Sequence, residues 1–211
     1  MGWARTEKEA LVDTFRRADP DAPTLCTGWD ARRLLAHLVQ REQDPAGGLA
    51  DAVGRAEPGQ EKHLGRLAGT AATPEGWSTL IDRFVAGPPR WSPMSWASEQ
   101  VNLLEYAVHH EDLRRGAGLA LRTLPAPQAD SIFRQVPLMA RLKLRRSPVG
   151  VTLVRPGGQT AVVRSGSPAV TVTGEPLELA LWVGGRRQAA HVQLSGPPEA
   201  LERLQDWLDR R

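Results

Sequence analysis

The organisation of the chain is decided by residues 98–116, which read SEQVNLLEYAVHHEDLRRG. Ser98 is a typical helix cap, Gly116 is a typical helix end, and no glycine or proline lies between them. The segment therefore predicts one helix of about five turns. At about 100° per residue, four polar side chains fall on one narrow stripe that has apolar residues on both sides. The members of the stripe are Asn102, Glu105, His109 and Asp112.

A polar stripe inside an apolar surface must find partners, because each unpaired buried polar group costs about 1–3 kcal/mol. Glu105 and His109 are four residues apart in the sequence, so their side chains project together from a helix. They can form an ion pair or bind a cation, and the Glu-x-x-x-His spacing alone leaves both open. His110 lies about 100° away, beside Glu111, and is predicted on the more exposed side of the helix.

A second helix is predicted over residues 30–42, with Asp30 as its cap. His37 lies on the apolar side of this helix, next to Leu38. A histidine in this position is either a core residue that is satisfied by one hydrogen bond or part of a site. Arg41 follows one turn later and is either a surface charge or the positive wall of a pocket.

Composition excludes several classes of function. The 211 residues are enough for one large or two small domains, and the net charge of +3 comes from scattered arginines, which gives nucleic-acid binding little support. We find neither a bilayer-spanning apolar run nor a signal peptide, so we expect a soluble cytoplasmic protein without membrane partners, as a monomer or homodimer. The single cysteine, Cys26, is expected to be a buried structural thiol. Cys26 is disfavoured as a metal ligand beside His37. Asp30 already lies about 10 Å along the helix axis from His37, and Cys26 precedes Asp30 in the chain.

The sequence changes its periodicity near residue 147. Before it, apolar residues recur with helical spacing, although Pro137 is expected to kink or split the last of these helices. After it, alternation over 149–154, 160–163, 169–173 and 191–194 predicts four strands, with helices at 177–183 and from 197 or 198. We therefore predict an α+β protein in which residues 1–146 form an all-α bundle and residues 147–211 form a small α+β domain.

The loop at residues 87–93, GPPRWSP, is stiff because three of its residues are proline. It carries Arg90 and Trp91 towards the start of the helix at 98–116. Either the loop contributes both side chains to a binding site, or Trp91 only seals the end of the bundle.

A four-helix bundle can direct side chains from several helices to one point in its core. His37 from the second helix, with Glu105 and His109, would supply two imidazoles and one carboxylate. This donor set suits Zn²⁺ with one position free for water or substrate, and Ni²⁺ or Fe²⁺ remains open. Asn102 and Asp112 lie one turn away on the same stripe and are predicted to orient the ligands.

The same residues carry a resemblance to a known family. His37 in the segments GWD (28–30) and LAHL (35–38), followed by Glu105-x-x-x-His109, resembles the mycothiol-dependent maleylpyruvate isomerase family of DinB/YfiT-like helical bundles. The segments at 87–93 and 101–115 are similar to an actinobacterial subfamily of it. The segment LWVGGR (181–186) resembles part of that family's C-terminal domain, which has a sterol-carrier-protein-like α/β fold.

The resemblance implies that His37, Glu105 and His109 are zinc ligands, that Arg186 lies near the active site, and that mycothiol is the cosubstrate. We therefore expect a zinc-dependent enzyme that activates this thiol for S-transfer or for thiol-assisted isomerisation of an electrophilic small molecule. Arg41, Arg90 and Arg186 are candidates to bind an anionic substrate. Two alternatives remain: a non-catalytic binding module for a metal or small ligand, and a zinc-assisted hydrolase with Asp112 as general base.

Overall fold

The computed structural model describes residues 2–54, 56–95 and 99–210 of the chain. Their contacts separate the chain into two compact units, one ending at Arg122 and the other beginning at Thr123. The strands of the described residues all belong to the second unit. The predicted α+β class, with a helical N-terminal part and a small C-terminal sheet, is confirmed. Within the described ranges, no helix is both long enough and apolar enough to span a membrane.

The first unit is helical. Its described elements are α1 (Trp3–Arg17), α2 (Ala31–Gln43), α3 (Pro45–Gly54), α4 (Lys62–Gly69), α5 (Pro74–Ala86) and α6 (Glu99–Gly116), with a short 3-10 helix at Pro93–Ser95. Helix α1 packs against α5 and α6, and α2 packs against α4, α5 and α6. The four longest helices of this unit, α1, α2, α5 and α6, form the predicted bundle.

The core of the bundle consists of large apolar side chains that helical spacing brings to the inner faces. Phe15 of α1 meets Phe84 and Trp77 of α5 edge to face, with ring centroids 6.3 and 6.0 Å apart. Both phenylalanines are fully buried, and burial of one such side chain is worth about 1.5–3 kcal/mol. Leu34, Leu35 and Leu38 of α2 and Leu103 of α6 are also fully buried.

The helix ends follow their capping residues. Asp30 accepts a hydrogen bond from the Arg33 amide at 2.8 Å and starts α2, as predicted. The predicted cap of α6, Ser98, lies outside the described residues. Helix α6 ends at Gly116, where a Cβ atom would lie only 2.3 Å from the Thr24 Cα atom. The segment between α1 and α2 therefore packs directly against the end of α6.

A buried polar network joins α1 to α6 and corrects the prediction that His110 and Glu111 lie on an exposed face. His110 Nδ1 lies 2.8 Å from Glu7 Oε1, and His110 Nε2 lies 2.8 Å from Thr14 Oγ1. The Arg122 guanidinium donates to Glu7 at 2.5 Å and to Glu111 at 2.6 Å. This face of α6 is covered because α1 packs on it, which a helical wheel of α6 alone does not reveal.

Because of the Glu7 contacts, we expect the free energy of unfolding to depend on pH in the acidic range. Burial opposes ionisation, but hydrogen bonds from His110 and Arg122 lower the pKa of Glu7 from 4.5 to about 2. A carboxylate with a depressed folded-state pKa stabilises the fold above its unfolded pKa, and this contribution is lost as the pH falls towards the folded value. We expect about 3 kcal/mol of unfolding free energy to disappear between about pH 4.5 and 2. Glu7→Gln should flatten this slope in denaturant titrations at several pH values. The exposed control on the same helix, Glu9→Gln, should keep it, and equal slopes in both variants would contradict the assignment.

The second unit contains α7 (Ala126–Lys143), β1 (Gly150–Val154), β2 (Thr160–Arg164), β3 (Ala169–Thr173), α8 (Pro176–Val183), β4 (Gln193–Ser195) and α9 (Pro198–Asp209). The strand order in the sheet is β2-β1-β3-β4, with β1 parallel to β3 and the other pairs antiparallel. Val151, Leu153, Val170 and Val172 alternate along β1 and β3 and are fully buried. The predicted strands and helices of this region are present, each within two or three residues of its expected bounds.

Helix α7 is one helix and lies in the second unit. Pro137 does not split it, since the residues on both sides keep helical backbone. Helix α7 packs against α8 and β2, and so it belongs to the second unit, although the predicted boundary stood at residue 146. Hydrophobic periodicity identifies α7 as a helix but does not tell which neighbour covers its apolar face.

Candidate metal centre

Two histidines from different helices lie close to one carboxylate oxygen of Glu105. His37 Nε2 of α2 and His109 Nε2 of α6 each lie 3.4 Å from Glu105 Oε1. The imidazole centroids of the two histidines are 5.0 Å apart, and the rings are inclined at 67°. Helix α6 supplies Glu105 and His109 because residues four apart share a face, and packing of α2 on α6 brings His37 to them.

The distances at this cluster fit a shared cation better than direct hydrogen bonds. Hydrogen bonds from N–H to oxygen are usually about 2.7–3.2 Å long. Ligand atoms at about 2.0–2.1 Å from one tetrahedral ion lie about 3.4 Å apart. The nitrogen and oxygen donors of His37, Glu105 and His109 lie within 4.8 Å of one another and suit Zn²⁺, Ni²⁺ or Fe²⁺. Their assignment as metal ligands stays a prediction that this geometry supports.

His109 is oriented by the buried carboxylate of Asp112. The Nδ1 atom of His109 lies 2.8 Å from Asp112 Oδ2, and Asp112 has no exposed surface. Burial opposes a charge on the imidazole, but contacts with Asp112, Cys26 and Glu105 hold the pKa of His109 well above its ordinary value. A proton on Nδ1 that is donated to Asp112 directs Nε2 towards Glu105. This is the arrangement by which carboxylates support metal-binding histidines.

Glu105 is held in its ionised form by positive neighbours. Burial raises its pKa, but the contacts with His109 and His37 and the charge of Arg41 bring that pKa well below the usual range. Arg41 Nε lies 3.4 Å from Glu105 Oε1, and both terminal nitrogens of Arg41 donate to Asn102 Oδ1 at 3.2 Å. Asn102 therefore reaches the cluster through Arg41, rather than through a hydrogen bond with one of the three predicted ligands.

A cleft of about 560 Å³ opens beside the cluster, and His37 and Arg41 form part of its wall. Trp29, Leu64 and Met94 contribute apolar surface to the same cleft. The Trp29 ring lies against His37, with centroids 5.1 Å apart, and its Nε1 atom donates to Glu61 at 3.1 Å. Trp29 is a site residue that the sequence pattern does not single out, although its place directly before the α2 cap is a usable signal.

Among the described residues, no hydrogen bond or ion pair joins Arg90 or Trp91 to the cluster. Arg90 is exposed, and the Trp91 side chain is 64% exposed, so Trp91 does not seal the end of the bundle. Arg186 follows α8 in the second unit and donates to the Gly184 carbonyl at 2.8 Å. Substrate binding by these three residues stays a prediction.

Cys26 lies closer to the cluster than the sequence analysis expected. Its Sγ atom is 3.2 Å from Asp112 Oδ2, and the neighbouring Leu25 amide donates to the Asp112 carbonyl at 3.0 Å. The expected separation was measured from His37 along the rise of helix α2. Cys26 instead comes close to His109 and Asp112, because the segment before α2 is not helical and lies against α6, with Gly28 at a positive φ of 75° in the turn. Cys26 is also half-buried rather than fully buried.

Comparison with known proteins agrees with this architecture. Residues 3–114 match the family model described as the mycothiol maleylpyruvate isomerase N-terminal domain. A crystal structure of the mycothiol-dependent maleylpyruvate isomerase is 16% identical, with a TM-score of 0.63 over 92% of this chain and 90% of that chain. A histidine-to-alanine mutant of that enzyme gives 15% identity and a TM-score of 0.62 over the same shares. The TM-scores establish a common fold, although the sequence identities are low. Among curated proteins, no sequence matches the chain.

Fold and site together define a helical bundle with a His–Glu–His cluster, followed by a small unit with a mixed sheet. The family model covers more than half of the chain, from α1 to the end of α6. The chain therefore belongs to the mycothiol maleylpyruvate isomerase N-terminal domain family. The resemblance that His37, Glu105 and His109 suggested is confirmed at the level of the family.

Proposed function

We propose that the protein is a cytoplasmic metal-dependent enzyme that activates a low-molecular-weight thiol, mycothiol, for S-transfer to an electrophilic small molecule or for thiol-assisted isomerisation of it. The observation that carries the proposal is the pair of 3.4 Å separations around Glu105 Oε1, next to an open cleft. Membership of the family adds support, because its name contains both the thiol and an isomerase reaction.

His37, Glu105 and His109 would hold the metal, with Zn²⁺ as the first candidate and Ni²⁺ or Fe²⁺ as the others. When bound by two neutral imidazoles and one carboxylate, Zn²⁺ retains a positive charge and favours the thiolate over the thiol in a free position. The cluster is accessible for such a thiol, since the side chains of His37 and Glu105 are 28% and 30% exposed. Asp112 holds the His109 ring in orientation from the opposite side of the imidazole.

Arg41 would present positive charge to an anionic substrate in the cleft. Its guanidinium is bound to Asn102 and lies near Glu105, so its direction is fixed before a substrate enters. A fixed guanidinium matches the geometry of a carboxylate. Arg90, Trp91 and Arg186 are proposed as further contacts to the substrate or the thiol.

The test is metal-dependent consumption of mycothiol by the full-length protein. Metal-depleted protein should leave mycothiol and maleylpyruvate unchanged, and protein reloaded with Zn²⁺ should isomerise maleylpyruvate or consume mycothiol with one of a panel of electrophiles. His191→Ala, which replaces an exposed histidine of the second unit, should retain this activity after the same treatment. If metal-loaded protein consumes neither mycothiol nor any of the electrophiles, the protein is not an enzyme of this kind.

A non-catalytic metal-binding module is the second candidate. The observation that favours it is that Arg41 Nε lies 3.4 Å from Glu105 Oε1, since the guanidinium occupies space beside the predicted ligands that a thiol would need. Protein loaded with Co²⁺ distinguishes the two candidates. New thiolate-to-cobalt absorption upon addition of mycothiol supports the enzyme, and an unchanged spectrum supports the module.

The hydrolase alternative loses its proposed general base. Asp112 faces His109 Nδ1, whereas Glu105 lies near His109 Nε2 on the other side of the ring. The Asp112 side chain is fully buried, and so water in the cleft has no access to it.

A further inference from the structure

The thiol of Cys26 is part of a second cluster that shares His109 with the candidate metal centre. Cys26 Sγ, His109 and Asp112 offer donor atoms within 4.8 Å of one another. Cys26 Sγ lies 3.2 Å from the same Asp112 oxygen that is bonded to His109 Nδ1. One carboxylate oxygen of a fully buried residue thus meets both the imidazole and the thiol.

Distances distinguish this cluster from a cation site. The 2.8 Å between His109 Nδ1 and Asp112 Oδ2 is shorter than the about 3.4 Å expected for two ligand atoms of one tetrahedral ion. It is an ordinary length for a hydrogen bond. The 3.2 Å from sulfur to the Asp112 oxygen agrees with an S–H donor. The second cluster is therefore a chain of hydrogen bonds that ends on His109.

The backbone holds the thiol in this place. The Leu25 amide donates to the Asp112 carbonyl at 3.0 Å, and the Cys26 amide donates to Thr24 Oγ1 at 3.1 Å. Thr24 Oγ1 in turn donates to the Trp29 carbonyl at 2.8 Å, which closes the turn before α2. Cys26 is thus held beside α6 by the bond from Leu25 to Asp112, within a turn that Thr24 and Trp29 close.

We propose that Cys26 is a positioning residue for the metal centre: its thiol donates to Asp112, and Asp112 holds the His109 imidazole with Nε2 directed at the metal. The inference rests on the proposed metal-dependent function. An Asp112 carboxylate that loses the Cys26 donor keeps only part of its hydrogen bonding in a buried place, so the His109 ring is less firmly oriented. Groups that orient metal ligands in this way affect affinity by about 10–100-fold. A thiol is a weak donor, and we therefore expect about tenfold.

The experiment measures Zn²⁺ affinity of the full-length protein by competition with a chromophoric chelator. Cys26→Ala removes the donor, and Cys26→Ser keeps a donor of similar size. We expect Cys26→Ala to bind Zn²⁺ about tenfold more weakly than the wild type, and Cys26→Ser to stay within about twofold. The Nδ1 proton of His109, observed by NMR in Zn²⁺-loaded protein, should shift in Cys26→Ala and keep its position in Cys26→Ser. Thermal unfolding of the metal-free variants separates a loss of affinity from a loss of fold.

The outcomes separate the two proposals. Wild-type protein that does not bind Zn²⁺, Ni²⁺ or Fe²⁺ overturns the proposed function, and the role of Cys26 with it. Wild-type protein that binds metal while Cys26→Ala binds it equally well overturns only the role of Cys26. A loss of affinity that is as large in Cys26→Ser as in Cys26→Ala overturns it too, because the hydroxyl provides the donor that the proposal requires.

Discussion

His37→Ala is expected to weaken the affinity of the protein for Zn²⁺ by more than about a hundredfold, so that the purified variant contains no metal. This loss is larger than the roughly 10–100-fold that follows from removing a group that only orients a ligand. His37 is the only one of the three predicted ligands that comes from α2. Burial and the nearby charges of His109 and Arg41 lower the pKa of His37 despite its contact with Glu105, and this shift favours the neutral imidazole. A neutral imidazole is the form that binds a divalent ion. Without it, Glu105 and His109 offer two donors, which are too few for a tetrahedral site.

The measurement is the metal content of protein purified without added metal, followed by titration with Zn²⁺ against a chelator. His191→Ala is the matched control, since its histidine is exposed and lies in the other unit. Glu105→Gln preserves the shape of the side chain but removes its charge, and it should lose most of the metal as well. Circular dichroism of the metal-free proteins checks that each variant is folded. Equal metal content in His37→Ala and wild type would exclude the cluster as the binding site.

The part of this centre that one helix determines was predictable from the sequence. Glu105, His109 and Asp112 lie at spacings of three and four residues, so their common face follows from the geometry of α6 alone. That His37 joins them depends on the packing of α2 against α6. The polar stripe and the bundle pattern made this plausible, and the resemblance to a known family made it specific.

The residues that sequence analysis misplaced lie where neighbouring segments decide the outcome. His110 was expected near solvent, because a wheel of α6 does not show that α1 covers this face with Glu7 and Thr14. The contact of Cys26 with Asp112, beside His109, was not predicted, because the rise of α2 from His37 says nothing about the direction of the irregular segment before that helix. Both errors have the same physical origin: local periodicity describes one element, and burial is a property of the contacts between elements.

The second large effect is expected in the network that covers His110. Arg122→Met should lower the free energy of unfolding by about 3 kcal/mol or more, because removing the cation that two buried carboxylates share leaves both of them less well compensated. The side chains of Glu7 and Glu111 are only 2% and 1% exposed, and Arg122 donates to both. After the substitution, Glu7 retains the contact with His110, and Glu111 retains the ion pair with Arg115 at 2.6 Å.

Denaturant unfolding followed by circular dichroism measures the effect, and Arg16→Met provides the matched control. Arg16 also forms an ion pair, with Asp13 at 3.3 Å, but both side chains are more than half exposed. Exposed pairs of this kind contribute about 0–1 kcal/mol, so Arg16→Met should change stability little. If Arg122→Met costs no more than Arg16→Met, the carboxylates are compensated by other means.

Adding Glu7→Gln to Arg122→Met tests the reason for the loss. A neutral amide in place of the carboxylate removes one of the two charges that Arg122 balances, while keeping a polar group next to His110. We expect the double variant to recover part of the stability that Arg122→Met loses, because a buried neutral group costs less than a buried unpaired charge. A double variant that is less stable than Arg122→Met would mean that the Glu7 charge stabilises the fold without Arg122, through His110 alone.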